Sequence, residues 1–171
     1  SNPYIHKNTT AKEIWIQSNN NIDGLVTGVG TGGTVTGCGE YLKKVNPNCK
    51  IYAVEPKKSA VISGGEAGSH AIQGIGAGFI PKVLKTELID EIIQIEDDEA
   101  FYYGRLLAKM EGLLSGISSG AALAATIKIG QRKELINKRL IVILPSFGER
   151  YLSTAMFDTN SSISARNYGF L

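Results

Sequence analysis

Residues 25–34 read Leu25-Val26-Thr27-Gly28-Val29-Gly30-Thr31-Gly32-Gly33-Thr34, and the fold is decided by this stretch. Leu25–Val29 is a short apolar run between turn formers, which predicts a buried strand. A helix is predicted to follow, running through Leu42 and stopping before Pro47. Between them, Gly28–Thr34 places four glycines and two threonines in seven residues, more than a tight turn requires. Glycines let successive backbone N–H groups point into one concavity, the helix start adds its positive end, and the threonines add hydroxyls. A phosphate dianion suits such a turn.

Outward from this unit the same alternation continues. Ile51–Val54, Glu91–Ile95 and Leu140–Leu144 read as further strands. Thr9–Gln17 reads as a helix opened by its threonines. A second begins at Asp97, Asp98 and Glu99, whose charges oppose the positive end of the dipole. It carries apolar Phe101, Leu106, Leu107 and Met110, and Gly112 is its expected stop. Ser118 or Ser119 is expected to cap an Ala-rich helix. Alternation of this kind predicts an α/β fold, a parallel sheet flanked by helices. Ligands of such sheets sit beyond the carboxyl ends of the strands, where the glycine turn and the Pro145-Ser146 turn both fall. Residues 158–171, rich in Ser and Asn, are expected to be a flexible tail after a unit spanning 1–157.

Composition excludes several classes. With 43% apolar and 20% charged residues, the chain has ordinary globular character. Its net charge of +2 is scattered, so nothing points to nucleic acid. No run approaches the roughly 18 apolar residues of a membrane span. Cys38 and Cys49 have neither the spacing nor the neighbours of a zinc site, and are expected to be reduced thiols. His6 and His70 show no acid or metal partner.

The glycine turn admits two functional readings. Gly28, Gly30 and Gly33 satisfy G-x-G-x-x-G, and Glu55 ends the next strand, which is the layout of a dinucleotide-binding domain. Other segments point elsewhere. Asn2-Pro3 with Ile5-His6, Thr9-Thr10 and Glu13-Ile14-Trp15 is similar to the lead-in to the glycine loop of the cysteine synthase (O-acetylserine sulfhydrylase) family. Gly30-Thr31-Gly32-Gly33-Thr34 resembles that family's loop for the phosphate of pyridoxal 5'-phosphate (PLP). Gln73-Gly74-Ile75-Gly76-Ala77-Gly78-Phe79 resembles its active-site loop. Gly116-Ile117-Ser118-Ser119-Gly120-Ala121 and Pro145-Ser146-Phe147-Gly148-Glu149-Arg150 resemble two later signatures.

The resemblance implies the larger domain of a PLP fold-type II (tryptophan synthase β-like) enzyme. It implies that Gly30, Thr31, Gly32, Gly33 and Thr34 hold the cofactor phosphate, that Ser146 faces the pyridine nitrogen, and that Gly74 lies close to the substrate. It implies a homodimer making L-cysteine from O-acetylserine and sulfide by β-replacement. Under it, Glu55 becomes a surface carboxylate at a strand end, and the Ala stripe after Ser119 becomes helix packing.

The family's Schiff-base lysine stands in a Pro-Thr-Gly-Ser-Val-Lys-type segment, and its substrate carboxylate is held by a Thr-Ser-Gly-Asn-Thr-Gly-type loop. Neither segment occurs here. No catalytic lysine is therefore assigned, the chain alone is expected to be inactive, and an apolar face should be left open where the other half of the enzyme would sit. A non-catalytic binding module for the C-terminal peptide of serine acetyltransferase is the alternative, beside the dinucleotide domain. The expected location is cytoplasmic or organellar, in plastid or mitochondrion.

Overall fold

The computed structural model describes residues 2–154, 156 and 157. The expected tail, 158–171, lies outside the described residues. Four strands form one parallel sheet: β1 (Gly24–Gly28), β2 (Lys50–Pro56), β3 (Glu91–Ile95) and β4 (Leu140–Val142), in the order β3-β2-β1-β4. The helices are α1 (Asn2–Asn8), α2 (Thr10–Gln17), α3 (Gly33–Val45), α4 (Asp97–Glu111) and α5 (Ile117–Gly130).

The pleat sorts the apolar residues onto two faces. Leu25 lies level with Ile51 and Ile141, and these pack with Val35, Cys38 and Leu42 of α3. Val26 lies level with Tyr52 and Val142, and these pack with α4 and α5. Both faces of the sheet are thus covered, which is why its strands are near-continuously apolar. Each fully buried Leu or Ile here contributes about 2 kcal/mol of transfer free energy. From β1 the chain passes through α3 to β2 on one side, and it later returns to β4 on the other. The carboxyl end of β1 is therefore the point where the connections diverge, the usual mouth of such sheets.

The expected helix Thr9–Gln17 is present as α2, and ahead of it stands α1, an element not expected, which lies on α3 because Gly33 and Gly37 leave room. A Cβ at Gly37 would come 2.3 Å from the Pro3 carbonyl oxygen, and one at Gly33 would come 2.7 Å from the Asn2 side chain. Thr9 stands at the start of α2 without capping it; its hydroxyl donates to the Ile5 carbonyl at 2.7 Å. α5 is headed by Gly116 rather than by a serine cap, and Ser118 and Ser119 lie buried in its first turn. Met110 projects into solvent from α4, while Phe101 and Leu107 are buried. Other expectations hold: α4 opens on Asp97, Asp98 and Glu99 and stops at left-handed Gly112, and the Ala stripe of α5 is buried packing; a capping box between Glu96 and Glu99 is an addition to them.

Glu55 is not a surface carboxylate. It is 1% exposed, and it accepts hydrogen bonds from the Ile62 N–H at 2.9 Å, the Ser63 N–H at 3.2 Å and the Ser63 hydroxyl. A buried carboxylate is tolerated only when satisfied in this way. Its oxygens tie down the loop after β2, so it offers nothing to a ribose.

Both cysteines are free and buried, and burial pushes the Cys38 thiol up to about 12 and the Cys49 thiol up to about 11. The thiolate is the reactive species. Native protein at pH 8 is expected to resist alkylation at both sites and to take up two equivalents once denatured, as read by intact mass. Labelling of the native protein at the denatured rate would contradict this account.

Among the described residues, no helix is long and apolar enough to cross a membrane.

Candidate functional site

The glycine turn joins β1 to α3 at the mouth of the sheet. Gly32 heads α3 with φ +84°, a left-handed conformation that a side chain would strain, and a Cβ there would meet Leu84 at 2.8 Å. The first bond of the helix ladder runs from the Thr36 N–H to the Gly32 carbonyl at 3.0 Å. The N–H groups before it lack helical acceptors and carry the positive end of the dipole. Gly33 N–H reaches only the Thr31 hydroxyl, at 3.5 Å. This leaves a row of donors around Gly33 and Thr34 open to an anion.

The second wall is the loop that carries Gly74. Gly74 has φ +96°, and its carbonyl oxygen lies so close to Gly30 that a Cβ there would come within 2.6 Å of it. The loop is pinned by the Gly76 N–H to the Val29 carbonyl at 3.2 Å. His70 adds a clamp. The Ile72 N–H donates to Nδ1 at 3.1 Å, so Nε2 carries the hydrogen and donates to the Gly76 carbonyl at 2.9 Å. His70 thus shapes the loop through backbone contacts. Thr36 fastens the following segment, donating to the Val83 carbonyl at 2.8 Å and accepting from the Lys85 N–H at 3.0 Å.

Between these walls lies a hollow of about 230 Å³ lined by Gly30, Thr31, Gly32, Gly33, Thr34 and Gly74, with Ile143 and Pro145 closing it. Six of the seven residues singled out in the sequence are therefore brought together. Ser146, the seventh, stands one residue beyond the Pro145 wall and lines an adjoining hollow of about 360 Å³. Its hydroxyl is buried and has no hydrogen-bond partner among the described residues. A further hollow of about 490 Å³ opens from Gly30, Thr31 and Gly74 towards Phe79 and Val83. The rim is apolar and open: Phe79, Ile80 and Val83 are exposed on one side, Leu113, Leu114 and Phe147 on the other.

Two site neighbours were not legible as such. Asn2 donates to the Thr31 hydroxyl at 3.2 Å, and His6 stands between the hydroxyls of Thr10 (3.1 Å) and Thr34 (3.4 Å). The available signal was Gly33-x-x-x-Gly37, a flat strip on α3 on which α1 rests. Among the described residues no cluster of His, Cys, Asp or Glu could hold a metal ion.

Residues 2–146 match the family model described as pyridoxal-phosphate dependent enzyme. The cysteine synthase of Buchnera aphidicola subsp. Acyrthosiphon pisum is 52% identical over 165 residues, covering 92% of this chain and 52% of that protein. The cysteine synthase of Staphylococcus aureus is 50% identical over 159 residues, covering 92% and 51%. Among solved structures, Entamoeba histolytica cysteine synthase superposes with a TM-score of 0.89 at 46% identity, covering 91% of this chain and 46% of that one. Its O-acetyl serine sulfhydrylase isoform 3 gives 0.92 at 44% identity, covering 98% and 50%. The chain spans about half the length of the curated relatives it matches.

Proposed function

We propose, because this chain belongs to the pyridoxal-phosphate dependent enzyme family, that it serves as the cofactor-binding larger domain of a fold-type II cysteine synthase, making L-cysteine from O-acetylserine and sulfide by β-replacement. The observation that carries this reading is the hollow between the start of α3 and Gly74, lined by the glycines and threonines of the turn.

The residues present fit the cofactor. The phosphate end meets open N–H donors and two threonine hydroxyls, and Gly30 leaves the backbone bare where a Cβ would crowd the Gly74 carbonyl oxygen. At the other end stands the buried hydroxyl of Ser146, which has no hydrogen-bond partner among the described residues. A buried hydroxyl without a partner loses hydrogen-bonding free energy, so an acceptor such as a pyridine nitrogen accounts for it. Being uncharged, Ser146 would not force a proton onto that nitrogen as a carboxylate would. Bound PLP supplies the electron sink for expelling the acetate and admitting sulfide. Gly74 presents only backbone to the substrate. The lysines lie outside any segment of the Schiff-base type, so the polypeptide alone would have negligible synthase activity. A homodimer, a cytoplasmic or organellar location, and recognition of a serine acetyltransferase C-terminal peptide at the apolar rim belong to the same reading.

Calorimetry on the full chain tests it with three ligands. PLP should bind, inorganic phosphate should bind more weakly at the same site, and NAD should not compete. Ser146→Ala should weaken PLP about tenfold, the scale of one lost hydrogen bond, while leaving phosphate unchanged. NAD filling the hollow in place of PLP would end this reading.

A further inference from the structure

We infer that Gly116 is a positioning residue for the Ser146 hydroxyl: the segment before α5 sets where that hydroxyl stands, and only a residue without a side chain at 116 leaves it room. This rests on the reading of Ser146 as the contact to the cofactor ring.

The turn bearing Ser146 is not held by its own sequence. It is stitched to residues 114–116 in a short antiparallel pairing. The Gly116 N–H donates to the Ser146 carbonyl at 2.9 Å, and the Gly148 N–H donates to the Leu114 carbonyl at 2.9 Å. Ser115 and Phe147 form the bridge between these two bonds. In such a pairing Gly116 and Ser146 stand opposite each other with their side-chain directions on one face. A Cβ on Gly116 would accordingly lie 2.2 Å from the Ser146 Oγ, and 2.6 Å from the Tyr151 ring.

Backbone conformation does not require glycine here. Gly116 has φ −77° and ψ 173°, extended values open to any residue, and it heads α5 without a side-chain cap. A serine, the residue expected at a helix N-cap, would have supplied the capping oxygen. Glycine forgoes that cap, and the space it leaves is filled by the Ser146 hydroxyl, which has no partner among the described residues. The position thus serves the placement of Ser146 rather than the helix. Gly148 does the matching task across the pair, since a Cβ there would meet Leu114 at 2.7 Å.

A double-mutant cycle on the full chain tests this, reading PLP affinity by calorimetry and by the absorption of the bound ring, with inorganic phosphate as the control ligand. Gly116→Ala should weaken PLP about tenfold, as Ser146→Ala does, and the double variant should lose no more than either single one. Phosphate affinity should stay level throughout, because the glycine turn is untouched. An equal further loss from Gly116→Ala in the Ser146→Ala background would overturn the inference, as would unchanged PLP affinity in Gly116→Ala or a parallel drop for phosphate. Should the Tyr151 contact prevent folding, the cycle is run in a Tyr151→Leu background, which removes the ring and keeps the hydroxyl contact. Wild-type chain that takes up phosphate but no PLP would sink the cofactor reading itself, a result distinct from additivity in a chain that binds PLP.

Discussion

Gly30→Ala is expected to lose binding of inorganic phosphate and of PLP together, by about a hundredfold or more, while the protein stays folded. The added Cβ would come 2.6 Å from the Gly74 carbonyl oxygen. Both partners are backbone, so no rotamer change relieves the contact. Gly74 cannot simply withdraw, because its loop is tied to Val29 by the Gly76 N–H and to His70 by the Gly76 carbonyl. The two walls of the hollow must part, and the N–H groups around Thr31 and Gly33 leave the positions that converge on an anion. Hydrogen bonds to a charged group contribute about 1.5–3 kcal/mol each, so losing two accounts for a hundredfold or more. The overpacking itself should cost about 1–3 kcal/mol of stability. Calorimetry with both ligands, beside thermal unfolding by circular dichroism, measures the two effects separately. Affinity within about threefold of wild type, on the scale of ordinary variation, would show that the hollow does not hold the phosphate.

The second large effect concerns the fold. Gly120→Ala in the middle of α5 would, by helix propensity alone, stabilise the protein by about 1 kcal/mol. The opposite sign is expected. A Cβ at Gly120 would lie 2.1 Å from the Ala100 carbonyl oxygen, 2.7 Å from the Gly104 nitrogen and 3.0 Å from the Gly104 Cα, all of them backbone of α4. Glycines at the crossing let the two helices approach closely, and an alanine must force them apart across a buried face. A loss of about 3 kcal/mol or more is expected, which for a chain of this size lowers the melting temperature by about 10 °C. Gly130→Ala, at the end of the same helix with nothing within 4 Å of its Cβ position, is the control and should be neutral or slightly stabilising. Equal melting temperatures for the two variants would refute the close crossing.

Sequence pattern places β3 at its observed ends, and β1 and β2 within one or two residues of theirs, because short apolar runs such as Ile51–Val54 have no competing periodicity. β4 ends at Val142, short of the expected Leu144, although the Ile143 N–H still bonds to the Val26 carbonyl at 3.0 Å. The glycine turn is legible for a related reason, since glycine spacing is a local property of the chain, whereas Gly74 is reached only through the family resemblance of its loop. The burial of Glu55 is not legible in the sequence because it depends on Ile62 and Ser63 folding back over it, which no pattern around Glu55 encodes. Sequence pattern points to the serines of α5 as caps, whereas the head of the helix, Gly116, is chosen by what stands across from it.

By itself, the order of residues determined a parallel α/β sheet with a glycine-rich turn after its first strand, since alternation, glycine clustering and helix starts act over a few neighbours. Tertiary structure alone decided that α1 lies on the glycine strip of α3, that Glu55 is enclosed, and that the Ser146 hydroxyl stands against Gly116 with no hydrogen-bond partner among the described residues. Those outcomes are contacts between segments far apart along the chain, and which surface meets which is settled only when the whole sheet has closed around its two cores.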